Sequence, residues 1–284
     1  MNNFFWIATH PFLSFKIIEF VHNVRGYAHK KINFKAILAW LNQFPETEKL
    51  EILDLLFHIH YYSEKEVKEI LCKHNEKVLN KLHQDGVTDD HIIYITIGDP
   101  GSSTHIMLNL LRDGANLERR KVHLIDSKDI IKLAKLTNEL GNGAVIYIDD
   151  FAGTGNQFIS SREYITKNVP LLNQFSEFFL VPCICEEAFK IISKASVEVV
   201  SNYIHAKNDR LLHPDSILLN KDIKLRIVEL SSEIDTGAPL GYKGLASMVV
   251  FFRNAPNGLP PLFRGNVGQD KKTGIFPRST DLVR

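Results

Sequence analysis

Several things are scarce in this chain, and each scarcity excludes a class of protein. Cysteine occurs three times, at Cys72, Cys183 and Cys185, too few for a disulfide framework and in keeping with a reducing compartment. No apolar run approaches the roughly 18–20 residues that cross a bilayer. Met1-Asn2-Asn3-Phe4-Phe5-Trp6 lacks a charged leader and a cleavage signature, so no signal peptide is expected and the expected location is cytoplasmic. Neither sign of charge dominates: the formal net charge is +1, so nothing general favours wrapping nucleic acid or lying on an anionic membrane. The basic pairs and triplets Lys30-Lys31, Arg119-Arg120-Lys121 and Lys271-Lys272 read as solvated surface. No internal repeat is evident.

What is present suffices for a sizeable core, with 284 residues and 44% apolar composition, in one large domain or two. Residues 1–88 read as helical. Phe12, Phe15, Ile18 and Val21 recur at helical spacing, as do Ile37, Leu38 and Leu41, then Leu50, Leu53, Leu56 and Phe57 after Pro45. Ser63-Glu64-Lys65-Glu66 is a capping box. It opens a helix with Val67, Ile70, Leu71, His74, Val78 and Leu82 on one side, ended by Gly86. His58 and His60, two apart on a helix, face different ways and make a poor metal pair. Three such helices also admit a winged-helix reading, although neither a wing hairpin nor a basic recognition face is visible.

From His91 the texture changes to strands alternating with helices. Ile92–Ile97, Val122–Ile125, Val145–Ile148, Phe178–Val181 and Val197–Val200 read as strands with helices between them. This order predicts an α/β fold built on a doubly wound, mainly parallel sheet, preceded by the helical N-terminal region. Ligands in such sheets sit outside the carboxyl ends of the strands, where the strand order reverses. Further on, 222–233 reads as a helix and 247–252 as one more strand. Asn254–Gly258 reads as a turn, and the polar segment from Gly268 as a loose tail. The expected domains are 1–88 (helical), 89–267 (α/β, with a C-terminal hood) and 268–284 (tail).

The most informative stretch is Val145-Ile146-Tyr147-Ile148-Asp149-Asp150-Phe151-Ala152-Gly153-Thr154-Gly155-Asn156-Gln157-Phe158. A buried strand ends in two carboxylates, a small-residue loop follows, and a helix starts. Backbone N–H groups exposed at such a helix start attract phosphate, and adjacent acids suit ribose hydroxyls or magnesium. The bland alternative is a helix cap with a solvated neighbour. Cys183 and Cys185 read either as buried strand thiols or as half of a metal site with no second half. Glu186-Glu187 reads either as an acidic helix start or as a pair reaching the pocket.

Ile146–Gly155 resembles the phosphoribosyl-pyrophosphate signature of type I phosphoribosyltransferases, and Gly98-Asp99-Pro100-Gly101-Ser102-Ser103 stands where that family places its pyrophosphate loop. Asp149–Phe158, with Gly241-Tyr242-Lys243-Gly244-Leu245 and Asn254-Ala255-Pro256-Asn257, is similar to the phosphoribosyltransferase-like effectors of bacterial anti-phage systems, including retron-associated ones. The resemblance implies a catalytic pair, Asp149 and Asp150, on the ribose hydroxyls, directly or through Mg2+. It implies a 5′-phosphate cradle of Ala152, Gly153, Thr154, Gly155 and Asn156. Gly98, Asp99, Gly101, Ser102 and Ser103 would face the pyrophosphate of phosphoribosyl pyrophosphate or another ribose-phosphate ligand. Tyr242 and Lys243 would form a base-recognition hood, or else a plain loop.

The activity implied is glycosyl transfer or N-glycosidic cleavage on a nucleotide or nucleic-acid target. The partner implied is a protein, or a reverse transcriptase–nucleic acid complex, held through residues 1–88. A non-catalytic sensor of the same ligand and a nucleobase salvage transferase are the alternatives. Three departures bear on the choice. Gly153 replaces a usual hydroxyl residue, Gln157 a usual threonine, and Asp99 brings negative charge to the loop that should receive pyrophosphate. No cation stands clearly beside that loop, with Arg112 and Lys121 the candidates.

Overall fold

The structure is a computed structural model, and it describes residues 11–98, 103–265 and 273–278. The chain divides into two compact units, one of Met1–Glu64 with Ala206–Arg284 and one of Lys65–His205. The division thus falls near residues 64 and 205, not at residue 88.

In the first unit, helices α1 (Pro11–Val24), α2 (Phe34–Leu41) and α3 (Lys49–Phe57) come from the amino-terminal part. Their buried residues, among them Ile17, Phe20, Trp40 and Leu53, pack with Leu212, Ile227, Leu262 and Phe263 from the carboxyl-terminal part. Strand β1 (His60–Tyr62) lies parallel to the strand Val249–Phe251 in a two-stranded sheet. His60 is therefore a strand residue, and His58 ends α3. The stripe on α1 runs opposite to expectation: Phe12, Phe15 and Ile18 are exposed, and Ser14, Ile17, Phe20 and Val24 are buried. The expected loose tail is anchored where it is described. Ile275 and Phe276 are fully buried in this core, and the Phe276 N–H donates to the Phe263 carbonyl at 2.9 Å.

The second unit opens with α4 (Glu64–Gln84), which buries Val67, Ile70, Leu71, Val78 and Leu82 as the spacing predicts. Gly86, at φ +82, follows its end. Strands β2 (Ile92–Thr96), β3 (His123–Asp126), β4 (Ala144–Ile148), β5 (Phe151–Ala152), β6 (Ser176–Cys185) and β7 (Glu198–His205) form one sheet, parallel at every pairing. Its order is β3-β2-β4-β6, with β7 beyond β6 and β5 continuing the line of β4 against β6. Helices α5 (Ser103–Ala115), α6 (Ile130–Leu140), α7 (Asn156–Asn168) and α8 (Glu186–Lys194) connect the strands.

Every residue of β2 and β4 is buried, as befits strands covered on both faces. Ile93, Ile95, Val145, Tyr147 and Phe179 share a core with Leu133, Phe158 and Ile165 from α6 and α7. Tyr94, pointing the other way by the two-residue period, donates from its hydroxyl to Asn75 Oδ1 of α4 at 2.6 Å. Two further elements complete the first unit: α9 (Lys221–Ile234) and, after β8 (Val249–Phe251), the short α10 (Pro261–Arg264).

Candidate functional site

The strand order reverses between β2 and β4: from β2 the chain goes to β3 on one side and returns to β4 on the other. Parallel sheets leave a crevice at the carboxyl ends of such a pair. The loop after β2 begins at Ile97-Gly98 and the loop after β4 begins at Asp149-Asp150. Both stretches singled out by sequence therefore open from this reversal. Asp99, Gly101 and Ser102 lie outside the described residues.

The two carboxyls occupy different environments. The strand line of β4 and β5 keeps one register against β6, from Ile148 opposite Leu180 to Phe151 opposite Cys183. Asp149 and Asp150 therefore fall opposite Val181 and Pro182. Pro182 has no N–H to give to the ladder, so the pairing lapses at the acid pair and resumes at Phe151. Asp149 still donates its N–H to the Leu180 carbonyl at 3.2 Å, and its side chain is held in the interior. Burial first, and then the charge of Asp150, push the Asp149 carboxyl well above the usual carboxylate range. Its Oδ1 accepts the Asp150 N–H at 2.9 Å. Asp150 is half-buried, and its Oδ1 accepts from the Phe151 N–H at 3.0 Å and from the Ser103 hydroxyl at 3.0 Å. The pair thus consists of an interior acid whose neutral form is favoured by burial and an accessible one whose direction is fixed by α5.

The cradle follows. Gly155, at φ +79, caps α7, and a Cβ there would come within 3.2 Å of Ala188 Cα. A left-handed backbone packed this close to α8 requires glycine. Thr154 Oγ1 accepts the Asn156 N–H at a long 3.4 Å. Ala152, Gly153, Thr154, Gly155 and Asn156 therefore form one turn between β5 and the start of α7, where first-turn N–H groups are available to an anion. Beneath it, Arg162 of α7 grips Glu177 of β6 through two bonds, at 2.7 and 2.5 Å, and Glu177 also accepts from the buried Tyr147 hydroxyl at 3.0 Å. This ion pair anchors α7 to the sheet.

Beside Gly98 lies a cavity of about 170 Å³ lined by Gly98, Ser127, Lys128, Ser160, Ser161 and Tyr164. Lys128 supplies a cation at the carboxyl edge, directly after β3. The two cations considered from sequence lie elsewhere. Arg112, in the last turn of α5, pairs with Asp113 and Glu118, and Lys121 lines a cleft with Thr88, Asp89 and Arg120 ahead of β3. A helix that follows a parallel strand runs back toward the amino edge, so its last turn cannot reach the carboxyl edge. Lys128 was missed because a single lysine after a strand carries no pattern of its own.

The other candidates are placed as follows. Cys183 and Cys185 are buried strand residues, and Glu186-Glu187 opens α8, with Glu186 3.6 Å from Lys190. Tyr242 and Lys243 belong to the first unit, on a short turn of helix with Tyr242 exposed and Lys243 at φ +53. Among the described residues no group of three or more His, Cys, Asp or Glu side chains is placed to hold a metal ion. Of the acid pair, Asp150 offers the accessible carboxylate, which fits a magnesium ion held chiefly by ligand phosphates and not one caged by protein.

Fold and site together define a parallel α/β protein with an acid pair and a glycine-capped helix start at the topological switch point. The chain matches the PRTase-CE family model over residues 37–278, and it belongs to that family. Two solved structures are similar to parts of this chain. One is the HGPRT-ase from Leishmania tarentolae in complex with GMP, at 11% identity and TM-score 0.34, covering 51% of this chain and 78% of that one. The other is the orotate phosphoribosyltransferase from Aeropyrum pernix, at 16% identity and TM-score 0.29, covering 45% and 67%. The comparison with curated proteins gave no match. Among the described residues no helix is long and apolar enough to cross a membrane.

Proposed function

We propose that this chain binds phosphoribosyl pyrophosphate, or a closely related ribose-phosphate ligand, at the carboxyl edge of the Lys65–His205 sheet. We further propose that it acts by glycosyl transfer or N-glycosidic cleavage on a nucleotide or nucleic-acid target, as an effector of anti-phage defence. The observation that carries the reading is the juxtaposition of Asp150, fixed by Ser103, with the Gly155-capped start of α7 that follows in the same loop. In this reading Asp150 contacts the ribose hydroxyls, and interior Asp149 holds the Asp150 backbone in place. Ala152–Asn156 takes the 5′-phosphate, and Lys128 with Gly98–Ser103 faces the pyrophosphate. Asp150 would help to hold a magnesium ion, which would supply positive charge against the diphosphate.

Breaking the anomeric bond develops positive charge on the sugar. The protein's share is then placement and stabilisation of the departing diphosphate. Within the same proposal a protein partner that restrains the activity is held by residues 1–88, and the exposed Phe12, Phe15 and Ile18 on α1 support it.

The test is mass spectrometry of nucleotides and RNA from cells producing wild type or D149N/D150N protein at equal, folded levels. A ribosylated or base-stripped species present only with wild type is expected. Identical spectra with defence retained in the double mutant would remove catalysis from the reading.

A further inference from the structure

The carboxyl edge carries a third acid, two strands across from the pair already described. Asp126 closes β3 in register with Thr96, and Thr96 is in register with Ile148, immediately before Asp149. At the usual strand spacing, two steps across the sheet separate Asp126 from Ile148 by about 10 Å, the breadth of a small ligand. The first turn of α5 is tied to both sides of this gap. Ser103 donates to Asp150 Oδ1 at 3.0 Å, and His105 Nε2 meets Asp126 Oδ2 at 2.7 Å. The other oxygen of Asp126 accepts the Lys128 N–H at 2.8 Å, so the carboxylate is locked in direction.

His105 Nδ1 contrasts with this. It is buried without a hydrogen-bond partner among the described residues, and Thr96 Oγ1, on the intervening strand, is in the same condition. Buried polar atoms are nearly always partnered, and an exception calls for an explanation such as a catalytic role. An aspartate that fixes one imidazole nitrogen and leaves the other bare is the arrangement that makes histidine a base. A nitrogen kept from bulk water also keeps its lone pair unhydrated until a ligand enters.

Building on the phosphoribosyl reading above, we propose that His105, held by Asp126, is the proton-accepting group of this site. The C1′–oxygen bond to the diphosphate breaks, and its electron pair leaves on the diphosphate. The acceptor's oxygen or nitrogen bonds to C1′, and the acceptor's proton passes to His105 Nδ1. With water as acceptor the products are ribose 5-phosphate and diphosphate, the proton being released from His105 afterwards. Asp126 acts as a positioning residue, keeping the proton of the resting imidazole on Nε2 and stabilising the imidazolium.

The experiment is long-range 1H–15N spectroscopy of the full chain labelled at histidine, with His105 signals identified by their loss in H105Q. Calorimetry with Mg2+ and phosphoribosyl pyrophosphate runs in parallel. Expected are an Nε2-protonated His105 in the free protein, a shift of its Nδ1 resonance at saturation, and a mixture of tautomers in D126N restored by D126E. H105Q should keep binding the ligand. An Nδ1 resonance unmoved at saturation, or an unchanged tautomer in D126N, overturns the proposal while leaving the binding site intact. Absence of any binding heat with wild type instead sinks the phosphoribosyl reading, and this inference with it.

Discussion

Asp149 and Asp150 are neighbours in sequence with different physical tasks. Burial keeps Asp149 neutral beyond the pH at which a free carboxyl ionises, whereas Asp150 is reachable and held by two donors at Oδ1. The consequence for stability has a definite sign. With the folded-state value above the unfolded one, the folded protein holds a proton that the unfolded chain has lost once the pH exceeds about 4. Stability contributed at low pH is therefore withdrawn as the pH rises through this window toward the raised value, at no more than about 1.4 kcal/mol per pH unit. In D149N the amide mimics the neutral acid, so thermal melts taken as the pH rises from about 4 should show wild type losing ground to the mutant. Parallel curves would show that Asp149 is ionised in the fold. Sequence offered the two acids and the glycine loop plainly, because an apolar run and Gly-Thr-Gly are local signals. Their unequal burial depends on the register with β6, and that is not local. His105 and Asp126 were invisible for the same reason: they are 21 residues apart in sequence and meet only through the packing of α5 on β3.

At the level of elements, the strand–helix alternation from β2 to β7 was legible because continuous apolar runs and glycine stops mark it. Two features were not. Strand β6 continues through Pro182 to Cys185, although a proline ordinarily argues against a strand interior; here the lapse it causes faces the acid pair. Helix α1 carries apolar residues on both sides, Phe12, Phe15 and Ile18 on one and Ile17, Phe20 and Val24 on the other, so periodicity alone cannot decide which side is buried. The structure buries the second. In denaturant titrations I17A should cost about 2–5 kcal/mol, whereas F12S and F15S should each stay within about 0.5 kcal/mol of wild type. Comparable losses from both sets would mean that the outer stripe is covered. Because residues 11–59 help build a core with 211–276, removing 1–88 would damage the fold. The partner is better tested by F12S/F15S in cells that co-express the products of neighbouring genes. A native complex unchanged on size exclusion dismisses docking through this stripe.

For the whole molecule, two cores serve one chain. The Lys65–His205 unit holds the acid pair, the Gly155-capped turn, Lys128 and the His105–Asp126 pair. Membership of the PRTase-CE family extends over both, since its model matches residues 37–278. The α/β class was legible from residue texture. The partition was not, because α4 looks like a fourth member of the N-terminal helices. Its stripe Val67–Leu71–Val78–Leu82 is spent instead on the sheet unit, whose strands are apolar on both faces and need cover on both. The central claim is that the carboxyl edge of that sheet is a phosphoribosyl site reached through Asp150, and calorimetry on the intact protein tests it most directly. With Mg2+ present, phosphoribosyl pyrophosphate should bind wild type at one site per chain, and D150N, still folded, should bind it at least about tenfold more weakly, as expected for loss of a charge-assisted contact worth 1.5–3 kcal/mol. Equal affinity for wild type and D150N, or no binding by either, would contradict it.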